Sequence, residues 1–257
     1  MPRFSANLGF LWPDRPLFER IDAAAAVGFR AIELHWPYDI PAEPLRERCE
    51  NHALTVLGLN TLIDPGKGEF GLGAVEGRQA DFQAGFARAA AYARAIGAGS
   101  VHVMAGDVAP DRKAAAAELF ADNLRWAAGQ APDLTLLLEP LNARDRPGYF
   151  YATVGEAAGV IAKVGAPNIK IMFDAYHVGV TEGGVVERLE RYLPLVGHVQ
   201  IAAVPSRAEP DEGEVDYAAF FRALDRLGYG GWVGCEYRPR AGTDEGLGWP
   251  STLGVAL

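Results

Sequence analysis

The chain has 257 residues, 49% of them hydrophobic and 22% charged, the balance of an ordinary globular protein with a large core. A formal net charge of −9 disfavours a nucleic-acid backbone as principal partner, and no Lys/Arg run builds a local basic groove. Two cysteines are too few for a disulfide framework or a Cys-based zinc site, and no apolar run approaches the ~18 residues of a membrane span. The start, MPRFSANLGFLW, lacks a basic segment followed by a long apolar core and a cleavage site, so a cytoplasmic location is expected.

In chain order, short β-rich runs alternate with helical stretches. Strands are predicted near 4–11, 31–36, 55–62, 100–105, 134–140, 169–174, 198–203 and 232–237. Most are apolar enough to be buried on both faces, as parallel strands under helices must be. Between them, Phe82, Phe86, Ala89 and Ala93 form one helical stripe, and Phe220, Leu224 and Leu227 another. Gly28, Gly97, Gly165 and Gly228 fall at or just past helix ends, where a left-handed residue turns the chain into the next strand. Eight such units make a (β/α)8 TIM barrel, a single domain over residues 1–257, with a doubly wound open sheet as runner-up.

Early in the chain, Glu33 and His35 in IELHWPYD and His102 in VHVMAG stand at strand ends where they can line a pocket. Cys49 falls in a predicted helix, and His52 reads as a surface residue. Gly66-Lys67-Gly68-Glu69-Phe70-Gly71 fits the dinucleotide pattern G-x-G-x-x-G, but it follows strand three and no helix begins before about Gly77. A glycine-rich loop over the barrel mouth, of the kind that serves as a lid, fits better.

The second half holds the most informative pattern. Glu139, Asp174, Gln200 and Glu236 each close a predicted strand, in LTLLLEPLN, IKIMFDAYH, GHVQIAAVP and WVGCEYRP, at intervals of 35, 26 and 36 residues. Residues at the C-terminal ends of successive barrel strands converge on one pocket. Three carboxylates and an amide oxygen suit a hard divalent cation such as Mg²⁺ or Mn²⁺. Glu139 and Glu236, facing each other across such an ion, can move a proton between adjacent carbons through an enediolate. Around them, His177 reads as a pocket residue binding a substrate oxygen, the alternative being a capping or packing role. Arg207, in a loop, can hold a substrate carboxylate bidentately, with a surface arginine as alternative. His198 reads as a core histidine with a buried partner. Cys235 points away from the pocket if Glu236 points in. Asp211, Glu212, Glu214 and Asp216 read as solvated charge, Asp216 also as the N-cap of the helix after it.

The run GHVQIAAVPSRAEPDEGEVDY, the block GYGGWVGCEYRPRAGTDEGLGW, and the segments LLLEPLNARDRPGYF, FDAYHV and VHVMAG together resemble the hydroxypyruvate isomerase family of xylose-isomerase-like barrels, over about Asn7 to Trp249. The resemblance implies a divalent ion at Glu139, Asp174, Gln200 and Glu236, with Glu139 and Glu236 as the proton donor and acceptor pair. It implies conversion of hydroxypyruvate to tartronate semialdehyde; close relatives isomerise four-carbon 2-oxo sugar acids. Where that family shows a loop near WAAGERG, this chain reads LIDPGKGEFGLGAVEGR, which leaves the metal site intact and puts the substrate in question.

Other chemistries fit less well. A ketose 3-epimerase uses the same paired glutamates, but its relatives usually have His where Gln200 stands. Cleavage of abasic DNA needs a histidine-rich zinc cluster, which five histidines and the acidic charge do not favour. A non-catalytic sugar-acid binder would leave the paired carboxylates unexplained. The expected partner is a small anionic sugar acid, with substrate contacts from His177, Arg207 and His102; no nucleic acid and no membrane are expected, and a homo-oligomer is left open.

Overall fold

A computed structural model describes residues 1–257. Its strands are β1 (Arg3–Asn7), β2 (Ala31–Glu33), β3 (Thr55–Val56), β4 (Gly58–Asn60), β5 (Ser100–His102), β6 (Thr135–Leu138), β7 (Ile169–Asp174), β8 (Val196–Ile201) and β9 (Trp232–Cys235). All pair in parallel, in the order β3-β2-β1-β9-β8-β7-β6-β5-β4. The two ends of that order, β3 and β4, are halves of one strand broken at Leu57, so the sheet closes on itself as an eight-stranded barrel. The expected (β/α)8 architecture is present. All eight predicted strands exist, most of them shorter than read, because the chain turns toward the barrel mouth soon after the last buried ladder bond; β1 ends at Asn7 rather than near residue 11.

The helices follow from their sequences. α1 (Leu17–Ala26), α2 (Ala42–Asn51), α3 (Gln79–Ile96), α4 (Lys113–Gln130) and α5 (Val154–Val164) cover the first strands. α6 (Ala175–Thr181), α7 (Val185–Tyr192), α8 (Tyr217–Arg226) and the short α9 (Thr243–Gly246) and α10 (Trp249–Thr252) follow. The stripe Phe82, Phe86, Ala89 and Ala93 of α3 is fully buried. Phe220 of α8 stacks on Phe173 of β7 at 6.3 Å between ring centroids, joining the helix layer to the barrel's outer face. Asp216 caps α8 as expected, its side chain accepting from the Ala219 N–H at 2.8 Å. Gly97 and Gly165 end α3 and α5 at φ 74° and 72°, the left-handed region their position requires. One continuous apolar core of 67 buried residues results, which argues for a single folding unit. Cys49 and Cys235 are both buried and unbonded. No helix is long and apolar enough to cross a membrane.

The barrel interior is unusually polar at one level. Every strand ends on an inward polar residue at or beside its last position: Asn7, Glu33, Asn60, His102, Glu139, Asp174, Gln200 and Glu236. Strand alternation puts these on one face and sends the apolar neighbours outward to the helices. Gly234 shows how closely the interior is fitted, since a Cβ there would sit 2.2 Å from the Glu33 carboxylate.

Candidate active site

The polar ring floors a cavity of about 690 Å³, within the range of small-molecule sites, whose lining includes Glu33, His35, His102, Glu139, His177, Gln200, Arg207 and Glu236. Asp174 joins them through its contacts. Its Oδ1 caps α6 by accepting from the Tyr176 N–H at 2.8 Å, which leaves Oδ2 facing the site. That oxygen lies 3.6 Å from His177 Nε2 and 4.0 Å from the Arg207 guanidinium. Glu139 Oε1 is also 3.6 Å from His177 Nε2, and Glu236 Oε1 is 3.2 Å from Arg207. Asp174 and Gln200 are direct register partners on β7 and β8. The four residues expected to hold a metal therefore face one space.

Three of their oxygens, Glu139 Oε1, Asp174 Oδ2 and Gln200 Oε1, are buried with no hydrogen-bond partner. Buried oxygens without donors are costly unless something positive meets them, and a hard divalent cation fits an all-oxygen set of this kind. The residues present fit such an ion. Gln200 is fixed for the role: its Nε2 donates to Glu33 Oε2 at 2.8 Å, which turns Oε1 toward the cavity. Glu33 in turn accepts from Ser5 at 2.5 Å and lies 3.1 Å from His198. Although burial alone would raise it, His198 and these donors hold the Glu33 carboxyl below its ordinary value, so it stays charged. His198 has the buried partner expected of it, and it also reaches the cavity floor.

Ligand-type atoms of Glu139, Asp174 and His177 lie within 4.8 Å of one another, so His177 competes for a place in the ligand set. Its hydrogen bonds argue against that. The Asn142 backbone N–H donates to His177 Nδ1 at 3.0 Å, and the Asn142 side-chain amide lies 2.7 Å from the same nitrogen. Nδ1 is thus the acceptor and Nε2 carries the hydrogen of the neutral ring. Burial and Arg207 push the His177 pKa well below its ordinary value, keeping the ring neutral. His177 then presents an N–H donor where a metal ligand would need a lone pair.

The carboxylates crowd one another. Burial first, then Glu236 and Asp174, raise Glu139 well above the ordinary glutamate range. Burial pushes Glu236 up to about 8 and Asp174 up to about 6, both opposed by Arg207. His102, its Nδ1 3.4 Å from Glu139, is pushed down to about 3 by burial, and His35, 3.7 Å from Glu236, to about 4.

Arg207 is in the pocket and not on the surface, but it is heavily engaged. It bonds Glu236, lies 3.4 Å from Asp145, and is packed between the rings of Phe10 and Tyr176 at 4.7 and 4.8 Å. Its backbone adopts φ 59°, rare for a non-glycine residue, and is held by bonds to Ala203 and from Arg238. The sequence reading missed Asn142, Asp145, Tyr176, Phe10, Phe70, Arg146 and Arg238. Asp145 accepts from the Tyr176 hydroxyl at 2.7 Å and steadies both Asn142 and Arg207. Of the acidic loop, Asp211 and Glu212 are not simply solvated, since both pair with Arg240. His52 is half-buried and lies 2.8 Å from Asp22.

The loop 62–78 closes one side of the mouth. No nucleotide-type helix N-terminus follows its glycines; residues 65–67 make one tight helical turn instead. Phe70 lines the cavity, with the Arg146 guanidinium over its ring at 4.5 Å. Arg146 also donates to Gly68 O at 3.1 Å and pairs with Asp107 at 2.5 Å. Gly71 bridges to Ala105 at φ 110°, and a Cβ there would meet the Met104 backbone at 2.6 Å.

Comparison with known proteins agrees with this architecture. The family described as xylose isomerase-like TIM barrel matches residues 21–252. A 2-oxo-tetronate isomerase of Cupriavidus necator is 46% identical over 97% of both chains. A human protein provisionally named a hydroxypyruvate isomerase is 45% identical over 96% of this chain and 93% of its own. A crystal structure described as a family 2 AP endonuclease from Brucella melitensis superposes with a TM-score of 0.95 at 40% identity, covering 98% of each chain. The D-psicose 3-epimerase of Clostridium cellulolyticum H10, at 19% identity over 100% of this chain and 90% of its own, shares the fold with a TM-score of 0.75. Matched over most of its length by the family model and by relatives above 40% identity, the chain belongs to the xylose isomerase-like TIM barrel family.

Proposed function

We propose that this protein is a divalent-metal-dependent isomerase that shifts a carbonyl between adjacent carbons of a small hydroxy-oxo acid. The observation that carries the reading is the set of donor-less buried oxygens of Glu139, Asp174 and Gln200 beside the paired carboxylates Glu139 and Glu236. Isomerase names among the full-length relatives support the same class of reaction. Hydroxypyruvate to tartronate semialdehyde is the first reading of the substrate. A four-carbon 2-oxo-tetronate is the second, favoured by the Cupriavidus relative; the cavity has room for either acid.

Glu139, Asp174, Gln200 and Glu236 would hold the ion, Mg²⁺ or Mn²⁺. When bound, it would supply positive charge against the substrate's carbonyl and hydroxyl oxygens, making the C–H between them more acidic. Glu139 and Glu236 are the proton carriers. One takes the proton from the hydroxyl-bearing carbon, leaving an enediolate; the other delivers a proton to the former carbonyl carbon, the hydroxyl proton passes to the former carbonyl oxygen, and the two carboxyls then exchange protons with solvent to reset the site. Without an ion, burial and crowding favour the protonated form of both; beside a bound ion their charged forms are stabilised, which keeps them available as proton acceptors. His177 Nε2–H and the neutral His102 are placed to bind substrate oxygens. Arg207 holds Glu236 in position. The acidic net charge and the oxygen-rich donor set favour a free sugar acid over nucleic acid as partner, and a cytoplasmic location goes with that reading.

The test is a substrate panel. Hydroxypyruvate, 2-oxo-tetronates and free ketoses are incubated with the enzyme and Mg²⁺ or Mn²⁺ in D₂O, and products are followed by NMR. Turnover of an acid with solvent deuterium appearing at the new C–H carbon is expected. Fast turnover of neutral ketoses with none of the acids would replace this reading by the epimerase.

A further inference from the structure

Three arginines line the cavity, Arg146, Arg207 and Arg238, and they are not equivalent. Arg146 is tied to Asp107 by two bonds and to Gly68 O by a third. Arg207 is tied to Glu236 and lies beside Asp145 and Asp174. Arg238 lies two residues past Glu236 at the exposed rim, and its guanidinium has neither a carboxylate nor a hydrogen-bond partner. It stands 5.9 Å from the ring centroid of Phe10, the ring that also carries Arg207 at 4.7 Å. Its backbone is pinned, because the Arg238 N–H donates to Arg207 O at 2.7 Å.

An acid of the proposed class brings a full negative charge into a site that already holds several carboxylates. Arg207 keeps its Nε–H without a partner, but both of its terminal nitrogens are engaged by Asp145 and Glu236, so a substrate carboxylate there would share the fork with carboxylates already in place. A guanidinium already paired with fixed carboxylates gains little from another, whereas an unpaired one offers its whole fork of donors.

From this we propose that Arg238 is the residue that captures the carboxylate of the substrate and selects acids over neutral sugars. The assignment rests on the function proposed above, and it moves the carboxylate clamp from Arg207, where the sequence put it, to Arg238. Sited at the mouth of a protein with net charge −9, Arg238 also provides the local positive field through which an anion enters. Arg207 is then a positioning residue for Glu236.

The experiment compares wild type, Arg238→Gln, Arg238→Lys and Arg207→Lys, each with Mn²⁺, by steady-state kinetics on the preferred oxo acid and by calorimetric binding of glycerate, an acid that lacks the carbonyl. In Arg238→Gln, KM and the glycerate Kd should both rise roughly tenfold to a hundredfold, the scale of one charge-assisted bond, with kcat within about threefold of wild type. Arg238→Lys should recover part of the loss, because it restores the charge without the fork. The fall of kcat/KM with added salt should be steeper in wild type than in Arg238→Gln. Unchanged KM and glycerate Kd in Arg238→Gln would overturn the assignment, as would an equal loss in Arg207→Lys confined to KM. If wild type turned over no oxo acid, the proposed activity would fall, and the glycerate Kd of wild type against Arg238→Gln would still decide the role of Arg238.

Discussion

The two halves of the barrel divide the work unequally. From β6 onward, the strands run four, six, six and four residues, and all four proposed ligands come from their ends. Before β6 only β1, at five residues, matches that length; β2, β5 and the two pieces of the third strand, broken at Leu57, run two or three residues, and none of these strands contributes a ligand. Those earlier strands and their loops supply what surrounds the ligands: Glu33 beneath Gln200, His102 beside Glu139, His35 beside Glu236, and Phe10 and Phe70 on the walls. The lesson is physical. A metal site tolerates errors of a few tenths of an ångström, so its ligands stand at the ends of four adjacent ladder-bonded strands, two of them the longest in the barrel, while substrate-facing walls can stand on loops.

The comparison predicts where mutations act. The largest effects belong to the late half, at the proton carriers. Glu139→Gln and Glu236→Gln should each lower kcat by ~10²–10⁴-fold or more, measured at saturating metal and substrate. Wild-type turnover in Glu236→Gln with metal bound would break the two-carboxylate mechanism. Asp174→Asn should act mainly through metal affinity and be partly rescued by excess Mn²⁺.

Next comes the joint between the halves. Glu33→Gln gives Gln200 a neighbour that can donate as well as accept, so the amide is free to flip and turn its nitrogen toward the site. Metal affinity should fall roughly 10–100-fold by isothermal titration, as expected for an outer partner of a ligand. Unchanged affinity would show that Gln200 needs no support from the early half.

A third effect is pH-dependent. In the metal-free protein Glu236 and Asp174 have folded pKa values of about 8 and about 6, above the ordinary carboxylate range of ~4. The folded state therefore holds more protons than the unfolded chain between these values. Stability from these groups is full below pH ~4 and lost as pH rises through 6 toward 8. His35, with a folded pKa of about 4, and His102, with one of about 3, act in the opposite sense, their contribution present above ~6.5 and lost as pH falls. A divalent ion competes with the carboxylate protons, so the rise in Tm on adding Mn²⁺ should grow from pH 5 to pH 8. A metal-induced shift that shrank over that range would contradict the crowded-carboxylate account.

The smallest effect lies on the lid side. Phe70→Ala removes a wall without touching a ligand, so it should change KM ratios among three- and four-carbon acids severalfold at unchanged metal affinity. A loss of metal affinity there would mean that the loop 62–78 supports the site itself.

What the sequence made legible follows the same division. Strand alternation and a strand-end carboxylate or amide recurring once per unit are local signals, so the barrel and the convergence of Glu139, Asp174, Gln200 and Glu236 could be read. The surroundings are not local. Asn142 meets His177 across 35 residues, Arg207 lies beside Asp145 across 62, and Arg146 reaches Gly68 across 78. The direction of a loop side chain depends on such closures, which leave no periodic trace. Arg207 illustrates the limit: its loop position was readable, but its engagement with Glu236 was not.

The central claim is that an oxygen-only site at the ends of β6 to β9 holds a divalent ion, with His177 outside the ligand set. Crystals grown with Mn²⁺ and measured for anomalous scattering test this directly. One strong peak is predicted, with oxygens of Glu139, Asp174, Gln200 and Glu236 at ~2.0–2.6 Å and His177 Nδ1 still accepting from the Asn142 N–H. A peak ligated by His177 Nε2 together with Glu139 and Asp174, leaving Gln200 and Glu236 unbound, would contradict the account, and so would the absence of any peak in the cavity.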